Sequence, residues 1–153
     1  MLHVSDVSIA ARIRPAVPED LSAIERLLTA SQLPLDGVRE ALPSFVVAES
    51  GDEVVGVAGL EVSRDNALLR SVAVADAWRS RGLGRALVER VIAEAESRGL
   101  HALYLLTTTA ERYFPSFGFR RVAREDVPAD IRATKEFASA CPVSAAVMCR
   151  ACA

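Results

Sequence analysis

The sequence predicts one α/β domain built on a sheet whose first strands are antiparallel, and three observations carry that prediction. Two β-branched runs, Ser44–Glu49 (SFVVAE) and Glu53–Ser63 (EVVGVAGLEVS), flank Ser50-Gly51-Asp52, which is the signature of a hairpin. Leu68–Val74 then reads as a buried strand that feeds Arg79-Ser80-Arg81-Gly82-Leu83-Gly84 and a helix running to Arg98. In that helix Leu83, Leu87, Val91 and Ala95 recur every four residues, which gives one apolar face. Finally, Arg98-Gly99 stops the helix, and Leu103–Thr107 (LYLLT) follows as a compact apolar strand suited to a sheet centre.

The remaining elements follow from local chemistry. Residues 1–10 read as a loose extension, and residues 11–153 as a single domain. Ala11–Pro15 is a short strand. Pro18-Glu19-Asp20 places proline and acids at a helix start, and Leu21, Ile24, Leu27 and Leu28 carry helical spacing to Ala30. Pro34 and Asp36-Gly37 break that helix, and a second short one covers Val38–Leu42 before Pro43. Gly56 and Gly59 mark a bulge or a close backbone approach, and Arg64-Asp65-Asn66 is a turn. Towards the end, a short helix is expected near Ala129–Phe137, a break at Pro142, and an edge strand over Ser144–Arg150. Such an edge could extend the sheet across a homodimer.

Composition excludes several classes. The 153 residues are 51% hydrophobic and 25% charged, enough to bury a core without disulfide or metal staples. A net charge of −2 gives no reason to expect nucleic acid or an anionic membrane as partner. No apolar run approaches the roughly 20 residues of a membrane span, and the N-terminus lacks a signal peptide's basic start, so a cytoplasmic location is expected. Cys141, Cys149 and Cys152 are an odd number without secretory signals, which argues for reduced thiols. Cys149-x-x-Cys152 has a spacing that metals use. The two histidines, His3 and His101, supply no second ligand pair, and no metal is expected.

The strand–loop–helix unit is an anion site in outline. The first N–H groups of a helix lack intrahelical partners, and the helix dipole favours negative charge there. Gly82 and Gly84 let backbone approach a bulky diphosphate, and Arg79, Arg81 and Arg85 add positive charge. No Gly-Lys-Ser/Thr follows, as a Walker loop requires. Leu87 stands where a dinucleotide-binding fingerprint needs its third glycine.

The spacing Arg79-x-x-Gly82-x-Gly84 resembles the coenzyme A pyrophosphate loop of the GNAT acetyltransferases. On that resemblance Arg79, Ser80, Arg81, Gly82, Leu83, Gly84 and Arg85 hold the pyrophosphate, and Val72, Ala73 and Val74 form a splayed strand that pairs with the pantetheine arm. The segment Thr108–Phe119 is similar to the family's short helix ending in F-Y-x-x-x-G-F, although Phe114 occupies the position of the usual tyrosine, which serves as general acid. Leu106–Phe119, Val127-Pro128 and Pro142–Met148 resemble the acetyltransferase domain of N-acetylglutamate synthases. The pattern Pro128, Ile131, Arg132, Thr134, Glu136, Phe137, Ser139, Cys141, Pro142, Ser144, Ala145 resembles small acetyltransferases associated with arsenic-resistance operons. The resemblance implies a mixed, mainly antiparallel sheet of six to seven strands with helices on both faces and a V-shaped opening between Leu68–Val74 and Leu103–Thr107. It implies acetyl transfer from acetyl-coenzyme A to a small amine, an amino acid or analogue, glutamate-like or an organoarsenical. Because no cysteine lies near the coenzyme strand to form an acyl-enzyme, that transfer is expected to be direct.

That chemistry needs a neutral amine, a polarised carbonyl and a stabilised thiolate. Leu68 stands where several GNAT enzymes carry a glutamate base. Glu61, in an apolar context on the neighbouring strand, is the nearest candidate, and a solvent-facing glutamate is its plain alternative. Tyr113 is a general acid if its segment is rotated, since one residue along a helix turns a side chain by about 100°; otherwise it is a packing aromatic. Arg70, inside an apolar run, must meet a carboxylate: that of Glu61 or that of a substrate. Thr107 and Thr108 either bind the substrate or cap their strand. Three other readings stay open: a peptide or protein acceptor, which calls for an acidic groove that no acidic run supplies; a non-catalytic coenzyme A sensor; and arsenic held by the three cysteines.

Overall fold

The computed structural model describes residues 11–140 and 145–152. Expectations for residues 1–10, for Cys141 and for the break at Pro142 lie outside them. The order is β1 (Arg12–Pro15), α1 (Leu21–Ala30), α2 (Val38–Ala41), β2 (Phe45–Ser50), β3 (Glu53–Ser63), β4 (Asn66–Val74), α3 (Leu83–Ser97), β5 (Ala102–Thr107), β6 (Arg120–Val122), α4 (Ala129–Arg132) and β7 (Ala146–Ala151). One seven-stranded sheet takes the order β1-β2-β3-β4-β5-β7-β6. Its neighbours are antiparallel except for β4 and β5. No helix among the described residues is long and apolar enough to cross a membrane.

Three differences from expectation have physical causes. The last strand is interior, not an edge: β7 pairs with β5 on one side and β6 on the other, so it is not open to extension across a dimer. Its buried Ala146, Val147 and Met148 suit a central position. The helix expected over Ala129–Phe137 stops at Arg132, and a π-helical turn covers Glu136–Ala140. Thr108–Phe119 holds only a 3-10 turn, Phe114–Phe117, ended by Gly118 in the left-handed region.

The apolar faces are covered from both sides. On one, α3 buries Leu83, Leu87, Val88, Val91, Ile92 and Ala95 against β2–β5. On the other, α1 and α2 cover Phe45, Val47, Val57 and Ala73, and Ile131 of α4 covers Leu68 and Val147.

Strand β4 carries a bulge that sets up everything downstream. Val57 opposes Ala73 and Gly59 opposes Arg70, so Ala58 faces two residues, Ser71 and Val72. Ser71 takes φ +62°. The extra residue reverses the alternation: Ala67 and Leu69, then Val72 and Val74, face α3. Strand β3 carries a second bulge as expected, at Val55 beside Gly56, where Ala48 opposes Gly56 and Glu49 opposes Val54, while Gly59 serves a close approach. A Cβ on Gly59 would fall inside the Phe45 ring, which is 1% exposed. A Cβ on Gly56 would meet only the tip of Leu87 at 2.8 Å. Gly59→Ala is expected to lower the unfolding free energy by about 3 kcal/mol in urea melts, with Gly56→Ala costing clearly less.

Candidate functional site

Strands β4 and β5 pair only from Asn66↔Ala102 to Leu68↔Tyr104, and beyond that they separate. Strand β5 remains fixed because β7 pairs along its whole length. The wedge so formed is a cavity of about 220 Å³, and its lining includes Arg70, Ser71, Val72, Thr107, Tyr113 and Glu136. Backbone groups of the splayed half of β4 that face β5 have no ladder partner there, and are left to a ligand or water.

At the inner end of the wedge lies Arg70, 2% exposed. Its Nη1 donates to Glu61 Oε1 at 3.0 Å, its Nε to Ser71 Oγ at 3.0 Å, and its Nη2 to the Pro34 carbonyl at 3.4 Å. Glu136 Oε2 lies 3.7 Å from Nε. The partner that sequence reasoning offered, Glu61, is therefore present. Glu61 also accepts the Lys135 backbone N–H at 2.6 Å, and it borders a neighbouring pocket rather than the wedge.

Glu136 is the residue that sequence reasoning missed. It is 4% exposed and lines the wedge. Burial raises its carboxyl to about 7; Arg70 opposes the rise and the charge of Glu61 adds to it. Arg70 offsets that burial only in part, since its short hydrogen bond goes to Glu61 and Glu136 lies 3.7 Å from its Nε. The only sequence signal was Glu136's place in the C-terminal resemblance.

The outer end of the wedge meets the glycine loop. Ser80 (φ +65°) and Gly82 (φ +82°) both adopt left-handed backbone, so the chain turns sharply twice before α3 begins. The first helical hydrogen bond runs from Ala86 N–H to the Gly82 carbonyl, which leaves the N–H groups of Leu83, Gly84 and Arg85 ahead of it. A Cβ on Gly82 would meet nothing within 4 Å. The space there suits an anion's approach. Arg79 is held by the Val74 carbonyl (3.2 Å) and Asp76 (3.1 Å). Arg81 stacks on Trp78 at 5.0 Å, and Arg85 on Phe117 at 4.4 Å.

Tyr113 and Phe114 divide the roles of their segment. Phe114 is buried in the α3 core against Phe117 and Phe119. The Tyr113 ring remains 39% exposed, and its hydroxyl lies 3.8 Å from where a Gly84 Cβ would sit. Burial raises the pKa of this hydroxyl, Arg85 opposes that and Glu89 adds to it, so it carries its proton at neutral pH. Thr107 Oγ1 accepts the N–H groups of Ala110 (2.8 Å) and Thr109 (3.3 Å), which is strand-end capping, while its residue also lines the wedge. Thr108 is exposed and Thr109 takes its place in the lining.

Two further features bear on the open readings. Cys149 contacts Tyr104 on the α4 side of the sheet, whereas Cys152 packs into the α3 core, so the two thiols face opposite ways. Among the described residues no group of three or more His, Cys, Asp or Glu side chains is placed to hold a metal ion. Beside Arg79, a groove of about 560 Å³ collects Glu19, Asp20, Asp52, Glu53 and Asp76 from separate segments, with Arg26 among them. Asp20 is already taken by Arg14, at 2.8 and 3.0 Å.

Comparison with known proteins fits this geometry. An amino-acid acetyltransferase of Mycobacterium tuberculosis is 32% identical over 129 residues, covering 78% of this chain and 74% of its own. An uncharacterised N-acetyltransferase of Chlorobaculum tepidum is 27% identical over 127 residues, covering 78% and 81%. In structure, N-acetylglutamate synthase of Neisseria gonorrhoeae, complexed with coenzyme A and N-acetyl-glutamate, superposes with a TM-score of 0.80 at 21% identity. That likeness covers 94% of this chain and 35% of the synthase, so it speaks for the fold. A Mycobacterium tuberculosis protein solved with coenzyme A superposes at 0.77 with 26% identity, covering 92% and 98%. The sequence model of the acetyltransferase (GNAT) family matches residues 13–119, from β1 through the glycine loop to Phe119. The chain belongs to the GNAT family and is an N-acetyltransferase.

Proposed function

We propose that the protein transfers the acetyl group of acetyl-coenzyme A to the amino group of an amino acid or close analogue, such as a glutamate-like compound, seated in the β4–β5 wedge. The observation that carries this reading is the alignment of three features along one strand. A phosphate-accepting loop lies at the outer end of β4, unpaired backbone in its middle, and a buried charge cluster at its inner end.

On this reading the N–H groups of Leu83, Gly84 and Arg85 hold the pyrophosphate, with Arg79, Ser80 and Arg81 around it and Gly82 clearing the approach. The backbone of Val72, Ala73 and Val74 pairs with the pantetheine arm and polarises the carbonyl. The coenzyme supplies an activated thioester. Tyr113 gives a proton to the departing sulfur. Arg70 and Thr107 wall the acceptor, with Thr108 beside its entrance. Three of Arg70's five N–H groups are given to Glu61, Ser71 and Pro34, so a substrate carboxylate would meet one of the remaining two, on Nη1 and Nη2. No cysteine lies on β4 to form an acyl-enzyme, so transfer is direct.

The acidic groove beside Arg79 favours a second reading, a cationic peptide as acceptor. It borders the coenzyme loop instead of opening on Arg70 and Glu136, and for that reason the small-molecule reading is preferred.

Thiol release from acetyl-coenzyme A, measured across free amino acids, glutamate-like analogues, polyamines and short peptides, is expected to respond to an amino acid. Response to peptides alone would replace the small-molecule reading with the second one, and coenzyme binding without any turnover would leave a sensor. Gly84→Val is the cleaner test of the loop, since Gly84 is helical and a Cβ there meets neighbours at 3.7 and 3.8 Å. Calorimetry is expected to show at least a 100-fold loss of coenzyme affinity with the melting temperature within a few degrees. Unchanged affinity would refute the loop assignment. Arg70→Met leaves the buried Glu136 carboxylate and the part-buried Glu61 without their guanidinium, and is expected to cost about 3 kcal/mol in denaturant unfolding. A fully stable variant with only a raised KM would instead make Arg70 a substrate ligand first.

A further inference from the structure

We infer that Glu136 is the group that takes the proton from the acceptor's ammonium, in the place of a base on β4, and that Glu61 serves to position it. The inference rests on the acetyltransferase reading of the wedge and names the base within that site. An ammonium nitrogen has no lone pair to attack with, and amines of this kind are largely protonated at neutral pH. Some group at the wedge must therefore accept a proton before the transfer. Leu68 stands where the family resemblance places a glutamate, and its side chain is buried under α4. Glu61 borders the adjoining pocket, and its two oxygens are engaged, one by Arg70 and the other by the Lys135 N–H. Glu136 lines the same wedge as Ser71, Val72 and Tyr113, and it faces the splayed backbone where the thioester belongs.

Among the described residues, charged and titratable groups reach Glu136 from several elements. From β4 comes Arg70 at 3.7 Å, from β3 Glu61, whose charge disfavours a second anion, and across the wedge Tyr113. On its own segment the neighbouring Lys135 gives its backbone to Glu61. Burial places the Glu136 carboxyl near neutrality, where a general base works best. The step balances as follows. One ammonium proton passes to the Glu136 carboxylate and later to solvent. The freed nitrogen lone pair forms the N–C bond as the C–S bond breaks, with its electron pair leaving on sulfur. Tyr113 gives its proton to the leaving thiolate, and the second nitrogen proton, lost as the amide forms, returns to the Tyr113 oxygen through solvent.

The test is the pH dependence of kcat/KM, with the amino acid that responds in the thiol-release panel, for the wild-type protein and for Glu136→Gln, Glu136→Asp and Glu61→Gln. Coenzyme affinity and circular dichroism are measured alongside. The wild type is expected to show an acidic limb breaking near pH 7. Glu136→Gln is expected to lose that limb and at least 100-fold in kcat/KM while binding coenzyme within twofold of wild type. Glu136→Asp should recover part of the rate. Glu61→Gln should keep the limb but move it to lower pH, since a negative neighbour has gone. A Glu136→Gln enzyme within threefold of wild type with the limb intact would overturn the inference, as would loss of the limb in Glu61→Gln. If Glu136→Gln does not fold, the other two variants decide: an unmoved limb in Glu61→Gln together with no rate difference between Glu136→Asp and wild type overturns it. A wild-type protein with no turnover on any amine overturns the acetyltransferase reading and this inference with it; turnover that is indifferent to Glu136 overturns this inference alone.

Discussion

The structure depends most on one buried guanidinium. Arg70 is 2% exposed, so its charge is met largely from the chain, and four places contribute. Glu61 reaches across from β3, Ser71 comes from the bulge, Pro34 from the loop after α1, and Glu136 from the segment before β7. Desolvating a cation is costly enough that these contacts act as a constraint on geometry more than as a gain in stability. They tie together segments separated by about a hundred residues in the chain, and three of those segments, β4, the loop after α1 and the stretch before β7, line the wedge. The site is thus shaped by satisfying a charge that the fold itself has buried.

The bulge at Ser71 works with that constraint. Without the extra residue, Val72 and Val74 would turn away from α3 and the apolar alternation of β4 would fail past Arg70. With it, the strand stays half-buried while it bends away from β5. The opening of the sheet follows from side-chain alternation and needs no glycine in β4.

Local chemistry made much of this legible in the sequence. The hairpin at Gly51, the four-residue spacing in Leu83–Ala95 and the glycine loop depend on neighbours a few residues apart, and each is found where its residues placed it. What was hidden depends on distance. The interior place of β7 comes from pairing with strands about 25 and 45 residues earlier, which no local pattern encodes. The bulge on β4 falls at Ser71, where no glycine marks it, while Gly59 clears the Phe45 ring and Gly56 lies beside a bulge of its own, and glycine spacing does not distinguish those uses. Glu136 lies in a mixed polar stretch, and only the folded chain brings it to Arg70. The Arg70–Glu61 pair stood between these cases: one partner could be guessed from the hairpin register, and the second could not.

The short contact between β4 and β5 has a mechanical meaning as well. Strands β1–β4 form one half-sheet stitched by successive antiparallel neighbours, and β5, β7 and β6 form another. Among the described residues, three ladder pairs, Asn66↔Ala102 to Leu68↔Tyr104, join the two by backbone, together with the bond from His101 N–H to the Asp65 carbonyl. The domain is in effect two plates meeting at a short seam, with α3 laid across as a splint. Local opening of such a body concentrates where the fewest hydrogen bonds must break. That place is the three-pair seam at the closed end of the wedge, so a hinge about it breaks the fewest bonds between the two plates.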